Sequence, residues 1–285
     1  MVKFFLSLIF VSVVAFGTDL NITSAENNST DLLDLKIKSF ISESSYNKNK
    51  RFIDIIFDPK SDFYISQRVD SIKVIQTLKE NGLLKLFFAK PTEFQLNFKT
   101  NSSPIFFIKI MDDTLRNIGY YRYTTLSSSK DASQFTWSIK LRSEYATDPI
   151  ILQKELTKQN CNIIDVIKNS KYNWTYIIDI SQAKLNVALL KPDQQIELKR
   201  SLYAYWLNVS KIRELNIKSS FRNRWYPYVV FYDSSLHIVK IIKRDRITKH
   251  IKLTIPKNAT YMKLSDIYTL KNIRRSLSLL PKGSR

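Results

Sequence analysis

Phe135-Thr136-Trp137-Ser138-Ile139-Lys140-Leu141 alternates apolar and polar residues without a break. Successive side chains of a β-strand point to opposite faces, so Phe135, Trp137, Ile139 and Leu141 would share one face of a sheet. The same period of two recurs upstream in Phe94-Gln95-Leu96-Asn97-Phe98. It recurs downstream in His250-Ile251-Lys252-Leu253-Thr254-Ile255, which stops at Pro256. Further β-favouring runs lie at residues 52–57, 63–65, 72–75, 83–88, 105–110, 120–125, 176–180, 185–190, 226–231 and 236–242. Turn chemistry separates them: Asp58-Pro59-Lys60-Ser61, Asn81-Gly82, Asp112-Asp113 and Asp233-Ser234-Ser235. Short strands at this spacing point to an α+β chain that is predominantly β, with antiparallel meander or sandwich-like sheets.

Two stretches read differently. Asp148-Pro149 combines an N-cap residue with proline at the first helical position, so a helix should follow, and 163–167 suits a second one. This short helical interval marks a domain boundary. Near the end, Leu264, Ile267, Leu270, Ile273, Leu277 and Leu280 recur every three or four residues, the spacing of one helix face. Residues 194–215 fit helix and strand equally. The expected organisation is a segment 1–17, a polar leader 18–31, a β-rich domain 32–147, a second basic β-rich domain 148–262, and a C-terminal amphipathic helix and tail 263–285.

The first 17 residues have their own logic. Lys3 supplies a positive charge, residues 4–16 are almost wholly apolar, and Ala15 and Gly17 are small residues two apart. That is the pattern of a cleavable secretory signal, and the run is shorter than the about 20 apolar residues of a spanning helix. No later stretch could span a bilayer, so the mature chain should carry no transmembrane segment. The expected location is outside the cell, or the periplasm if the source is a bacterium.

Composition narrows the chemistry. The chain has 44% hydrophobic residues, enough for a sizeable core. Cys161 stands alone, so no intrachain disulfide can form. It reads as a small buried hydrophobe, or else as half of an intermolecular disulfide. His237 and His250 are the two histidines, with no His-x-x-x-His and no Cys-x-x-Cys, so no metal site is expected. Asp112-Asp113 reads as a turn rather than a metal-binding carboxylate pair. No Gly-x-Ser-x-Gly elbow occurs, and four glycines leave little material for phosphate-cradling loops. A non-enzymatic chain with no cofactor is the expectation. Asn21, Asn27, Asn28, Asn101, Asn173, Asn208 and Asn258 begin Asn-x-Ser/Thr sequons, relevant only where the cell glycosylates exported chains.

Charge points to partners. Residues 194–285 carry 20 Lys/Arg against 5 Asp/Glu, a net of +15 out of +20 for the whole chain. Phe221-Arg222-Asn223-Arg224-Trp225-Tyr226 mixes cations with aromatics, which suits anionic head groups or stacked bases. Together with Lys240, Lys243, Arg244, Arg246, Lys249 and Lys252, the residues Arg222, Arg224 and Trp225 make a candidate anion-binding face. The expected partner is a protein, an anionic lipid or another acidic surface, in preference to nucleic acid.

One block adds a family resemblance. Leu33-Asp34-Leu35, the stretch 42–46, Phe57-Asp58-Pro59-Lys60, Phe63-Tyr64-Ile65, Val69-Asp70 and 72–75 follow one another across residues 33–77. This block resembles the FAINT domain, frequently associated in Theileria, which recurs in proteins exported by intracellular blood parasites. It departs from that pattern at Asp62, where a glycine is usual, and at Gln76, near the place of a tryptophan. The resemblance implies a secreted protein binding at a parasite–host interface, with the segments around the Pro-Lys turn extended. A structural or scaffold protein of a bacterial envelope machine is the alternative that the same signal and strands would suit.

Overall fold

A computed structural model describes residues 23–131 and 133–285. The signal segment 1–17 and the start of the leader lie outside the described residues. The chain forms two compact units, one ending at Val69 and the other beginning at Asp70.

The first unit is helical where strands were expected. It contains α1 (Thr23–Phe40), α2 (Glu43–Lys48), α3 (Lys50–Ile56), a 3-10 turn at Lys60–Phe63 and a small hairpin of β1 (Tyr64–Ile65) and β2 (Arg68–Val69). Thus the leader is already helical from Thr23, and Leu33-Asp34-Leu35 lies on the same helix. Leu33, Ile37 and Phe40 are fully buried while Leu35 is exposed, which is helical and not alternating spacing. The run at 52–57 behaves likewise. Ile53 and Phe57, four apart, are buried, whereas Phe52 and Ile55 face solvent. The aromatic of the Pro-Lys turn packs against Phe63, with ring centroids 4.6 Å apart.

The second unit opens with α4 (Ser71–Glu80), capped by Asp70, whose carboxylate accepts from the backbone N–H groups of Ile72 (3.0 Å) and Lys73 (3.1 Å). Asn81-Gly82 ends this helix instead of turning a hairpin. Gly82 has φ +71°, and the N–H groups of Leu83 and Leu84 return to the Leu78 carbonyl. A left-handed residue serves a helix C-terminus as well as a hairpin, so that signal alone could not choose.

Next come β3 (Phe87–Thr100), α5 (Pro104–Asn117), β4 (Thr124–Lys130), β5 (Phe135–Tyr145), α6 (Pro149–Thr157), β6 (Asn162–Ser170) and β7 (Asn173–Asp179). The strands form one sheet in the order β4-β5-β3-β7-β6, antiparallel except for the parallel β3–β7 pair. Phe135–Leu141 lies in β5, and its buried face is the one that the alternation predicts. Phe135, Trp137, Ile139 and Leu141 are buried and lie opposite Thr100, Phe98, Leu96 and Phe94 of β3. Phe107 of α5 meets Phe135 edge-on at 6.1 Å, which brings that helix onto the apolar face.

The structure departs from expectation at several points here. Residues 105–110 are helical: Pro104 sits at the first helical position, and Phe106, Phe107, Ile110, Met111 and Leu115 are buried at helical spacing. Asp112 and Asp113 are therefore mid-helix residues, paired with Arg116 (3.0 Å) and Lys109. Residues 163–167 are strand, because the β-branched Ile163, Ile164, Val166 and Ile167 pack best in a sheet. Since β6 and β7 complete the sheet begun by β3, the sheet runs through the proposed boundary at residue 148. The helix at Asp148-Pro149 does form as read, with Asp148 accepting from the Ile150 N–H at 2.9 Å.

Cys161, between α6 and β6, is fully buried, and its thiol donates to the Gln159 carbonyl at 3.4 Å. Burial, with the Asp179 charge adding to it, pushes the thiol up to about 12, because both disfavour the thiolate. The native chain is expected not to react with a disulfide-exchange reagent at pH 8, and to react fully in denaturant. Rapid labelling of the native chain, or a disulfide-linked dimer on a non-reducing gel, would overturn this placement.

The rest of the chain is a sandwich of β8 (Ala188–Leu189), β9 (Ile196–Leu198), β10 (Tyr205–Asn208), β11 (Ile212–Ser219), β12 (Pro227–Tyr232), β13 (Ile238–Lys243), β14 (His250–Thr254), β15 (Tyr261–Asp266) and β16 (Leu277–Ser284). One sheet has the order β13-β12-β15-β10-β8 and the other β14-β11-β16-β9. Alternate residues of both sheets, including Leu215, Ile217, Val229, Phe231, Leu253, Leu264 and Leu279, fill one core. The expected C-terminal helix is absent, and the described chain ends in strand. Leu264 belongs to β15 and Leu277 to β16, with a 3-10 turn at Leu270–Asn272 between them. Leu277 and Leu279 are buried two apart and face Ser219 and Ile217 of β11. The helical spacing arose by joining two strands through a turn whose Ile273 is itself buried.

Candidate functional site: a basic cleft at one end of the sandwich

Register brings this site together. Leu198 of β9, Leu277 of β16 and Ser219 of β11 are neighbours across three adjacent strands. The residues just beyond them therefore leave the sheet at the same end. These are Lys199 and Arg200, Arg274 to Ser276, and Ser220 to Arg222. They line a cleft of about 570 Å³ that also includes Glu197. Five cationic side chains, Lys199, Arg200, Arg222, Arg274 and Arg275, thus share a cleft with a single carboxylate. The chain end at Arg285 lies at the other end of the same strands, where Ile212 pairs with Ser284.

The cleft floor is built from buried polar contacts. Asn223 is 1% exposed. Its amide donates to the Ser276 carbonyl (2.9 Å) and the Ser219 hydroxyl (3.1 Å), and its Oδ1 accepts from the Arg275 N–H (2.8 Å). Lys249 donates to the carbonyls of Phe221 and Asn223, each at 2.6 Å. The Arg224 N–H donates to the Asn272 carbonyl at 2.9 Å. Two cation-bearing loops are stitched to each other in this way, so their charges are held close before any ligand arrives. Such preorganisation removes part of the cost of binding. Arg222 also lies over the Phe221 ring at 5.4 Å, and that ring is 79% exposed.

The sequence-derived anion face is only partly assembled. Arg222 lines the cleft and Arg224 is exposed beside it. Trp225 is no surface residue. It is fully buried, with its indole N–H donated to the Ser265 carbonyl at 2.9 Å. Lys249 buttresses the loop instead of facing a ligand. Lys252 pairs with Glu214 across the strands at 2.8 Å. Lys240 and Lys243 are exposed on the edge strand β13 of the opposite sheet, with Arg244 and Arg246 just past its end. Lys199, Arg200, Arg274 and Arg275 were missed as site residues. The dibasic pairs Lys199-Arg200 and Arg274-Arg275 are a usable signal, but the second pair falls within the stretch 263–285, whose spacing predicts a helix.

What the cleft offers is cationic hydrogen-bond donors. Arginine forks match carboxylate and phosphate oxygens two at a time. Among the described residues no group of three or more His, Cys, Asp and Glu side chains could hold a metal ion. His237 is bound up in its own turn, its ring Nδ1 2.9 Å from Asp233. Burial alone would raise the Asp233 carboxyl, but hydrogen bonds from His237 and Ser235 hold it below the usual range. No helix among the described residues is long and apolar enough to cross a membrane. No family model, curated protein or solved structure matches the chain.

Proposed function

We propose that this chain is an exported, non-enzymatic binding protein whose sandwich-end cleft takes up an anionic group of its partner. The observation that carries this reading is the convergence of Lys199, Arg200, Arg222, Arg274 and Arg275 on one cleft with Glu197 as its lone carboxylate. Like charges held together repel, and a bound anion relieves that repulsion while gaining charge-assisted hydrogen bonds. The pattern of residues 1–17 supports export, and the resemblance of residues 33–77 to the FAINT domain supports a setting at a parasite–host interface.

The test is calorimetric titration with inorganic tripolyphosphate across a salt series. One saturable site is expected, weakening as salt rises. Replacing Arg274 and Arg275 by glutamate should weaken it by about tenfold per arginine, the worth of a charge-assisted contact. Replacing Lys240 and Lys243 by glutamate changes net charge equally, but on β13, and should leave the site nearly intact. Equal losses in both variants would mean diffuse charge rather than a site and would overturn the proposal, as would no binding at low salt.

A further inference from the structure

We infer that the cleft end of the sandwich docks on an anionic lipid surface, with Phe221 inserted among the head groups. This rests on the anion-binding reading above and names the source of the anion. Phe221 is 79% exposed, higher than any other exposed large hydrophobic side chain of the described residues. It stands on the rim of the cleft whose other lining residues include five cations. Leu202, two residues beyond Arg200, is 72% exposed. A large apolar side chain held out in water gains nothing from a free anion. It gains transfer free energy when an apolar layer lies directly beneath an anionic one. A bilayer with anionic lipids offers those two layers in that order.

The loop is built to hold the ring out. The Phe221 carbonyl accepts from Lys249, the Asn223 side chain is buried beneath, and the Arg222 guanidinium lies over the ring. A floppy loop could fold Phe221 back onto the sandwich, whereas these contacts fix the backbone on both sides of it. Cations flanking a fixed apolar wedge make the two signals, charge and insertion, that stable peripheral attachment needs. Both signals lie at the end of the sandwich away from Arg285.

The experiment is co-sedimentation with vesicles of neutral phosphatidylcholine alone and with added phosphatidylserine, using purified residues 18–285, the chain expected after signal cleavage. Binding is expected only to the anionic vesicles. Phe221→Ala should weaken that binding by about tenfold, the loss of one buried aromatic side chain, a larger factor than its effect on tripolyphosphate binding. Arg274→Glu with Arg275→Glu should weaken both by about tenfold per arginine. Vesicle binding that ignores Phe221 would overturn insertion. Tripolyphosphate binding without vesicle binding would overturn this inference and leave the anion site standing. Loss of both in the unmodified chain would remove the anion site as well. A DNA duplex bound more tightly than the vesicles, with the same dependence on Phe221, would assign the wedge to base stacking and also overturn it.

Discussion

Trp225→Ala is expected to lower the unfolding free energy by about 3–5 kcal/mol, the range for removing a large aromatic from a packed core. Trp225 sits in the sandwich core with Val229, Phe231 and Leu264, and none of its surface reaches water. The substitution leaves a cavity that the two sheets cannot close without losing register. It also leaves the Ser265 carbonyl without the indole N–H that it now accepts at 2.9 Å. Trp225→Phe keeps most of the volume and should cost about 1–2 kcal/mol, the loss of one buried hydrogen bond and a little packing. Urea unfolding followed by circular dichroism checks both. A Trp225→Ala chain of unchanged stability that had lost tripolyphosphate binding would return Trp225 to the anion face and refute its core role.

Asp266→Ala should be nearly as damaging, at about 3–5 kcal/mol, because it removes a buried carboxylate that four part-buried donors share. Asp266 is 6% exposed at the end of β15. One oxygen accepts from the Tyr226 N–H (2.8 Å). The other accepts from the N–H groups of Tyr268 (2.9 Å) and Thr269 (3.0 Å) and from the Asn272 amide (3.0 Å). Asp266→Asn retains one acceptor but aims an NH₂ at the Tyr226 or the Thr269 side, so it should cost about 2 kcal/mol. The effect reaches the cleft. Asn272 takes the Arg224 N–H, and Ile273 anchors the turn just before Arg274 and Arg275. Asp266→Ala makes the chain more positive yet should bind tripolyphosphate more weakly, since the arginines lose their fixed positions. Unchanged affinity at full occupancy of the folded state would show that the turn does not position them.

The alternating strands were readable because each buries one face only. Phe135 to Leu141, Phe94 to Phe98 and His250 to Thr254 carry their own period and met partners that left it intact. Asp148-Pro149 was readable because an N-cap followed by proline acts within one turn of chain. The mistaken strands at 52–57, 72–75 and 105–110 are short apolar runs, rich in β-favouring residues. Their buried faces follow 3.6 residues per turn only when Phe57, Leu78 and Leu115, outside or at the end of each run, are counted with them. Local preference was outweighed by the burial available to a helix.

The basic cleft could not be read in the same way. Its excess charge was plain in the last third of the chain, but charge along a chain does not say which residues meet. That depends on Leu198, Leu277 and Ser219 standing side by side, through pairings between residues 58 and 79 positions apart that no local signal encodes. Strand periods, helix caps and the surplus of cations were legible in the order of residues alone. Tertiary structure alone decided that Trp225 lies inside, that Lys252 meets Glu214, and that Arg274 and Arg275 face Arg222 across a cleft. Periodicity and capping act within a few residues, whereas burial and charge convergence are properties of strands brought together from across the chain.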